Sequence, residues 1–121
     1  MSRVTAYLHP TCTTCEQARQ WLAAHKIDYT EKDIRTTAPT VAEMRAMAAA
    51  HGGERKKVLN TSGIEYRKQG LAAKLPQLDD AAFFTLVRTN GMFVKRPFVI
   101  GPGVALVGFK AEAWAEQLAA K

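Results

Sequence analysis

Cysteine is scarce in this chain: two residues among 121, Cys12 and Cys15. A chain of that length can bury a real core without crosslinks, so the disulfide-stapled class of small domains is excluded. Histidine is sparse too, and none of His9, His25 and His51 stands at zinc-ligand spacing from a partner. Long apolar runs are missing, which excludes a membrane-spanning helix, and "MSRVTAYLHP" lacks the apolar core and cleavage pattern of a secretory signal. A cytoplasmic protein is therefore expected. Acidic residues are outnumbered by basic ones, 11 against 17, for a formal net charge of +6. The basic residues are scattered, however, in clusters no longer than those at Arg55-Lys56-Lys57 and Arg67-Lys68, with no interleaved aromatics. That distribution predicts a solvated basic surface rather than direct nucleic-acid binding. Repeats, low-complexity tracts and linkers are also absent, and one domain over residues 1–121 is expected.

What is present reads as an α/β chain. Val4 to Leu8 is a short apolar strand ended by His9-Pro10. From about Thr13 to His25, Cys15, Ala18 and Leu22 recur at helical spacing with Trp21 alongside, while Glu16, Gln17, Arg19 and Gln20 face water. Ile27 to Asp33 follows as a second strand, completing a β-α-β unit of the size that joins parallel strands. Thr40 and Glu43 form a capping box for a helix carrying Val41, Met44 and Ala48 inward, stopped at His51-Gly52-Gly53. A short helical turn is expected over Lys56 to Asn60, and a helix from an Asp79 cap to Arg88 with Phe83, Leu86 and Val87 inward, closed by Asn90-Gly91. "PFVIGPGVALVGF" is a hairpin: Phe98 to Ile100, a Gly101-Pro102-Gly103 turn, and Val104 to Val107. A last helix from Ala111 to Ala120 is expected to bury Ala111, Trp114, Ala115 and Leu118. The order is β-α-β, a helical insert over about 39–91, then β-β-α.

The two cysteines stand three apart where the first strand gives way to the first helix. Such a pair can clamp a metal, pack as inert thiols, or exchange electrons. The third use is favoured by C-x-x-C beside a β-α-β pattern. At the mouth of a helix the first backbone N–H groups have no intrahelical partners, and with the helix dipole they favour a thiolate at Cys12. Cys15 lies one turn in, on the buried side with Ala18 and Leu22, and should ionise less readily. Cys12 is then the attacking sulfur and Cys15 the resolving one. Lys95-Arg96-Pro97 precedes the hairpin, where a cis proline can be fixed in a turn. In a thioredoxin-type sheet that turn lies beside the first helix, so that Arg96 can place a permanent charge near Cys12.

Together, "YLHPTCTTCEQARQWLAAHKIDY", "VLNTSGIEYRKQG", "KRPFVIG" and "LVGF" resemble the arsenate reductase-related family of thioredoxin-like proteins, which includes the redox-switched regulator Spx. The resemblance covers nearly the whole chain. It implies a thioredoxin-like, glutaredoxin-type fold with an inserted helical subdomain, a cis bond at Pro97 and a reactive Cys12. Thr13, Thr14, Pro97, Arg67 and Asn60 become candidate substrate contacts beside the catalytic candidates Cys12, Cys15 and Arg96. Glutathione-dependent arsenate reductases of the family hold the oxyanion with three arginines. Arg96 matches one; Asn60 stands at the central position, and "LVGFK" contains no arginine. Each missing guanidinium removes charge-assisted contacts to an anion, which argues against arsenate as substrate. The resemblance implies no bound cofactor, a glutathione, glutaredoxin or thioredoxin electron donor, or, for the Spx branch, the C-terminal domain of the RNA polymerase α subunit as partner.

Overall fold

The computed structural model describes residues 4–119. It divides into two compact units, one of Met1–Asp33 with Arg96–Lys121 and one of Ile34–Lys95. The second unit is somewhat wider than the insert read over 39–91.

The first unit is built on a four-stranded sheet in the order β2-β1-β3-β4. Strand β1 (Val4–Leu8) runs parallel to β2 (Tyr29–Asp33) and antiparallel to β3 (Phe98–Gly101), which continues as a hairpin into β4 (Val104–Val107). Pro102 and Gly103 form the corner, and Gly103 takes φ +70°, a conformation glycine adopts without steric cost. Helix α1 (Thr13–Ala24) links the parallel strands and buries Cys15, Ala18 and Leu22, as its spacing predicts. These three join Val4, Ala6, Leu8, Val99, Val104, Leu106, Trp114 and Leu118 in one apolar cluster. On the other face of the sheet Tyr7 and Phe98 meet edge to face, 5.8 Å between centroids.

Two expected elements of this unit are corrected. The second strand begins at Tyr29 rather than Ile27, because Ile27 belongs to the end of α1. Lys26 turns to φ +54°, its N–H bonds Ala23 O at 3.1 Å, and the Ile27 N–H bonds Leu22 O at 3.0 Å. That paired pattern is a Schellman ending, with Ile27 packed beside the cluster that holds Leu22. The last helix is α-helical only over α6 (Ala111–Trp114) and continues as a π-helical turn, Ala115–Ala119. Trp114 and Leu118 are buried as expected, but Ala111 is exposed and Ala115 half-buried. Ala120 lies outside the described residues.

The second unit carries the helices. Helix α2 (Val41–Ala50) starts with the predicted capping box: the Glu43 N–H donates to Thr40 Oγ1 at 3.1 Å, and the Thr40 N–H donates to Glu43 Oε1 at 2.9 Å. A 3-10 turn over Arg55–Val58 replaces the turn expected over Lys56 to Asn60, and Leu59 instead bridges Val94 in antiparallel fashion. Two further helices, α3 (Ile64–Lys68) and α4 (Leu71–Lys74), have no counterpart in the sequence pattern. They are five and four residues long and start at glycines without side-chain caps, so periodicity cannot register them. Burial of Tyr66 and Leu71 anchors them. Helix α5 (Asp80–Arg88) begins at Asp79, whose carboxylate accepts the Ala82 N–H at 2.8 Å. It buries Phe83, Phe84 and Val87, with Leu86 only half-buried. Gly91 is required by close approach: a Cβ there would overlap the Ile34 carbonyl oxygen.

Candidate functional site

Cys12 occupies the N-cap position of α1, in extended backbone, with φ −81° and ψ 125°. Its side chain makes no standard capping hydrogen bond. Burial opposes ionisation of the Cys12 thiol, but the Cys15 N–H, the Cys15 thiol, the Arg96 side chain and the Thr14 N–H together outweigh it and lower its pKa. Cys12 as a residue is half-buried, and both cysteines are free thiols.

Cys15 is treated oppositely. It is fully buried within the apolar cluster. Burial first, then the hydrogen bond and charge of Cys12, push its pKa up from 9.0 to about 11, against the pull of the His9 N–H and Arg19. The causes are reciprocal: a Cys15 thiol that donates to the Cys12 thiolate stabilises the anion next door and resists losing its own proton.

Arg96 arrives from the other end of the chain. The register pairs Tyr7 on β1 with Phe98 on β3, which brings the residues just before β3 alongside the turn that follows β1. The Arg96–Pro97 bond is cis, and the Pro97 carbonyl accepts the Gly108 N–H at 2.9 Å. Arg96 Nη1 is buried and has no hydrogen-bond partner. A buried guanidinium nitrogen left open beside a thiolate is a ready donor for an anionic group.

Of the remaining candidates, Thr14 contributes its N–H to Cys12, while Thr13 opens the helix exposed to solvent. Asn60 and Arg67 belong to the Ile34–Lys95 unit. There the Asn60 N–H donates to Phe93 O at 2.8 Å and its side-chain oxygen accepts from Ser62 Oγ at 3.3 Å. Arg67 lies exposed in the last turn of α3. Among the described residues no three His, Cys, Asp or Glu side chains gather as metal ligands, and no helix is long and apolar enough to cross a membrane.

The helical spacing puts Arg19 on the solvated face, and the structure corrects this. Its side chain is only 18% exposed, and it bonds Glu31, Glu16 and the His9 carbonyl. The available signal was spacing: position 19 lies one turn beyond Cys15 and three residues from Glu16. The imidazole of His9 serves the turn, with Nδ1 accepting the Thr11 N–H at 3.1 Å, while the His9 backbone N–H reaches Cys15 Sγ at 3.4 Å.

A C-x-x-C pair at the mouth of α1, on this mixed sheet and beside a cis proline, defines a thioredoxin-like protein. Within that class the chain belongs to the ArsC family, whose model matches residues 7–117. It is 34% identical over 116 residues to the uncharacterized protein YusI of Bacillus subtilis, covering 96% of this chain and 98% of that one. An ArsC family related protein of Bacteroides fragilis, known from its crystal structure, shares 38% identity at a TM-score of 0.86, over 95% of this chain and 97% of its own. The global transcriptional regulator Spx 2 of Bacillus cereus is 27% identical, over 90% of this chain and 82% of the regulator.

Proposed function

We propose that this protein is a thiol-disulfide oxidoreductase in which Cys12 attacks and Cys15 resolves. The observation that carries the reading is the opposite electrostatic treatment of two sulfurs three residues apart, one helped to ionise and the other kept protonated. The Cys12 thiolate attacks one sulfur of a substrate disulfide; a Cys12–S–S–R bond forms, the substrate S–S bond breaks, and the other half leaves as a thiolate. Cys15 then gives up its proton to solvent and attacks the Cys12 sulfur, so that a Cys12–Cys15 disulfide forms and R leaves as a thiolate. Two electrons have passed from the dithiol to the substrate. A thiol donor of the glutathione, glutaredoxin or thioredoxin type restores the pair.

Arg96 steadies the Cys12 thiolate and offers its open nitrogen to an anionic group on the substrate. Thr13, Thr14 and Pro97 are the proposed contacts of the substrate around the sulfur; Asn60 and Arg67, which belong to the helical unit, are substrate contacts only as the family resemblance implies them. Arsenate itself is not the proposed substrate, because Asn60 stands where the resemblance places an arginine and 106–110 contain none.

The test is alkylation followed by turnover. At neutral pH iodoacetamide should modify Cys12 at least about tenfold faster than Cys15, since the thiolate is the nucleophile. Cys12→Ser should abolish reduction of hydroxyethyl disulfide and of mixed glutathione disulfide with every donor. Equal alkylation of the two thiols would overturn the assignment.

The match to Spx 2 favours a second reading, a regulator whose Cys12–Cys15 disulfide switches its contacts with the C-terminal domain of the RNA polymerase α subunit. Steady turnover across the substrate panel supports the enzyme. One stoichiometric oxidation per chain, with redox-dependent capture of that polymerase domain, supports the regulator.

A further inference from the structure

The backbone at His9 is the hub of the turn that presents both cysteines, through the two peptide groups that meet at its Cα. Its N–H donates to Cys15 Sγ at 3.4 Å, and its carbonyl accepts from Arg19 Nη2 at 3.0 Å. That carbonyl also receives the Cys12 N–H at 3.5 Å. The guanidinium is held on its other sides: Nε donates to Glu31 Oε1 at 3.2 Å and Oε2 at 3.0 Å, and Nη1 to Glu16 Oε1 at 3.3 Å. Glu31 stands on β2 and Glu16 on α1, so one planar fork ties the strand, the helix and the preceding turn together. A lysine ammonium at position 19 is a point charge and cannot span these acceptors in the same fixed geometry.

We propose that Arg19 is a positioning residue for the resolving step, holding the His9 carbonyl so that the His9 N–H stays aimed at the Cys15 sulfur as it attacks the Cys12 mixed disulfide. The proposal rests on the oxidoreductase reading above and assigns a further residue to it. In that step Cys15 loses its proton to solvent, the Cys12–Cys15 bond forms, the Cys12–S–R bond breaks, and R departs as a thiolate.

The surroundings of Cys15 explain why this support matters late rather than early. Cys12, the His9 N–H and Arg19 are the groups that act on the Cys15 thiol, with Glu16 and Glu31 paired to the guanidinium. The cluster that encloses Cys15 is otherwise apolar, with Val4, Ala6, Leu8, Val99, Trp114 and Leu118 among its members, and the titratable Tyr29 of β2 packs against it and interacts with Arg19, Glu31 and Glu16. While Cys12 is a thiolate, its charge and its hydrogen bond keep Cys15 protonated. Once Cys12 is capped in a mixed disulfide that charge is gone, and the His9 N–H and Arg19 remain to favour the Cys15 thiolate against burial. The Cys12 thiolate owes its stability to Cys15, Arg96 and Thr14.

The experiment uses the full chain and 5,5′-dithiobis(2-nitrobenzoate) in stopped flow. Attack by Cys12 releases a first equivalent of thionitrobenzoate, and resolution by Cys15 releases a second. Loss of one net hydrogen bond predicts that Arg19→Gln slows the second phase about tenfold and leaves the first unchanged. The pH midpoint of the second phase should move upward with Arg19→Gln. Arg19→Lys, keeping the charge without the fork, should recover that midpoint but not the full rate. Glu31→Gln loosens the guanidinium from its far side and should slow the same phase to a lesser degree, deciding the matter even if the Arg19 variants fold poorly. Equal slowing of both phases, or an unchanged second phase, overturns the role of Arg19 alone. A wild-type chain that never releases the second equivalent overturns the redox reading with it.

Discussion

Between Ile34 and Lys95 most elements are closed by their own sequence neighbours, whereas the sheet unit is assembled from segments at opposite ends of the chain. In the helical unit Thr40 and Asp79 cap the helices that follow them, and most turns close over three or four residues. In the sheet unit β1 gains β2 and β3 as neighbours, and the register with β3 carries Arg96 toward Cys12. The charge divides unequally as well: 10 of the 17 Lys and Arg residues fall between positions 34 and 95. Cys12 therefore belongs to the less basic unit, so the excess positive charge of the whole chain is a poor guide to its surroundings. What shapes Cys12 is short-range: backbone donors, one neighbouring thiol and one guanidinium.

Three measurements break or sharpen that contrast. The largest effect belongs to Gly91→Ala, because the added methyl must displace the Ile34 carbonyl; we expect a loss of about 3 kcal/mol or more in the helical unit. Trp21 and Trp114 both lie in the sheet unit, so tryptophan fluorescence follows that unit while far-ultraviolet circular dichroism follows helices in both. Separate denaturation midpoints by the two probes would show that the units unfold independently; a single shared midpoint would show one cooperative domain. Thr40→Ala comes next, removing a capping box for about 1 kcal/mol, measured by the same denaturation. Arg96→Gln should leave stability nearly unchanged yet move the pH midpoint of Cys12 alkylation upward. The sign follows from the cause: Arg96 favours the thiolate, so its loss raises the pH at which the thiol ionises. An unmoved midpoint would detach Arg96 from the site.

Much of this was legible from residues in order. The C-x-x-C spacing, the inward face of α1, the hairpin and both side-chain helix caps are local signals, and the structure shows each of them. The misses share a different cause. Helices α3 and α4 are too short to repeat a pattern and exist because Tyr66 and Leu71 find a core. Ile27 reads as the first residue of the second strand, and its packing beside Leu22 gives it to the helix end instead. Arg19 looked solvated because its partners Glu31 and the His9 carbonyl meet it only through the β1–α1–β2 crossover.

The order of residues thus carried the chemistry of the pair: two thiols one helical turn apart, at the start of a helix whose N–H groups favour an anion on the first. It also carried the family, through motifs spread along nearly all of the chain. Folding in space settled how unlike the two sulfurs are, since burial raises Cys15, while the Cys15 N–H and thiol, joined by a guanidinium from the far end of the chain, lower Cys12. Burial and charge at a sulfur depend on which distant segments pack around it, and no local pattern records that.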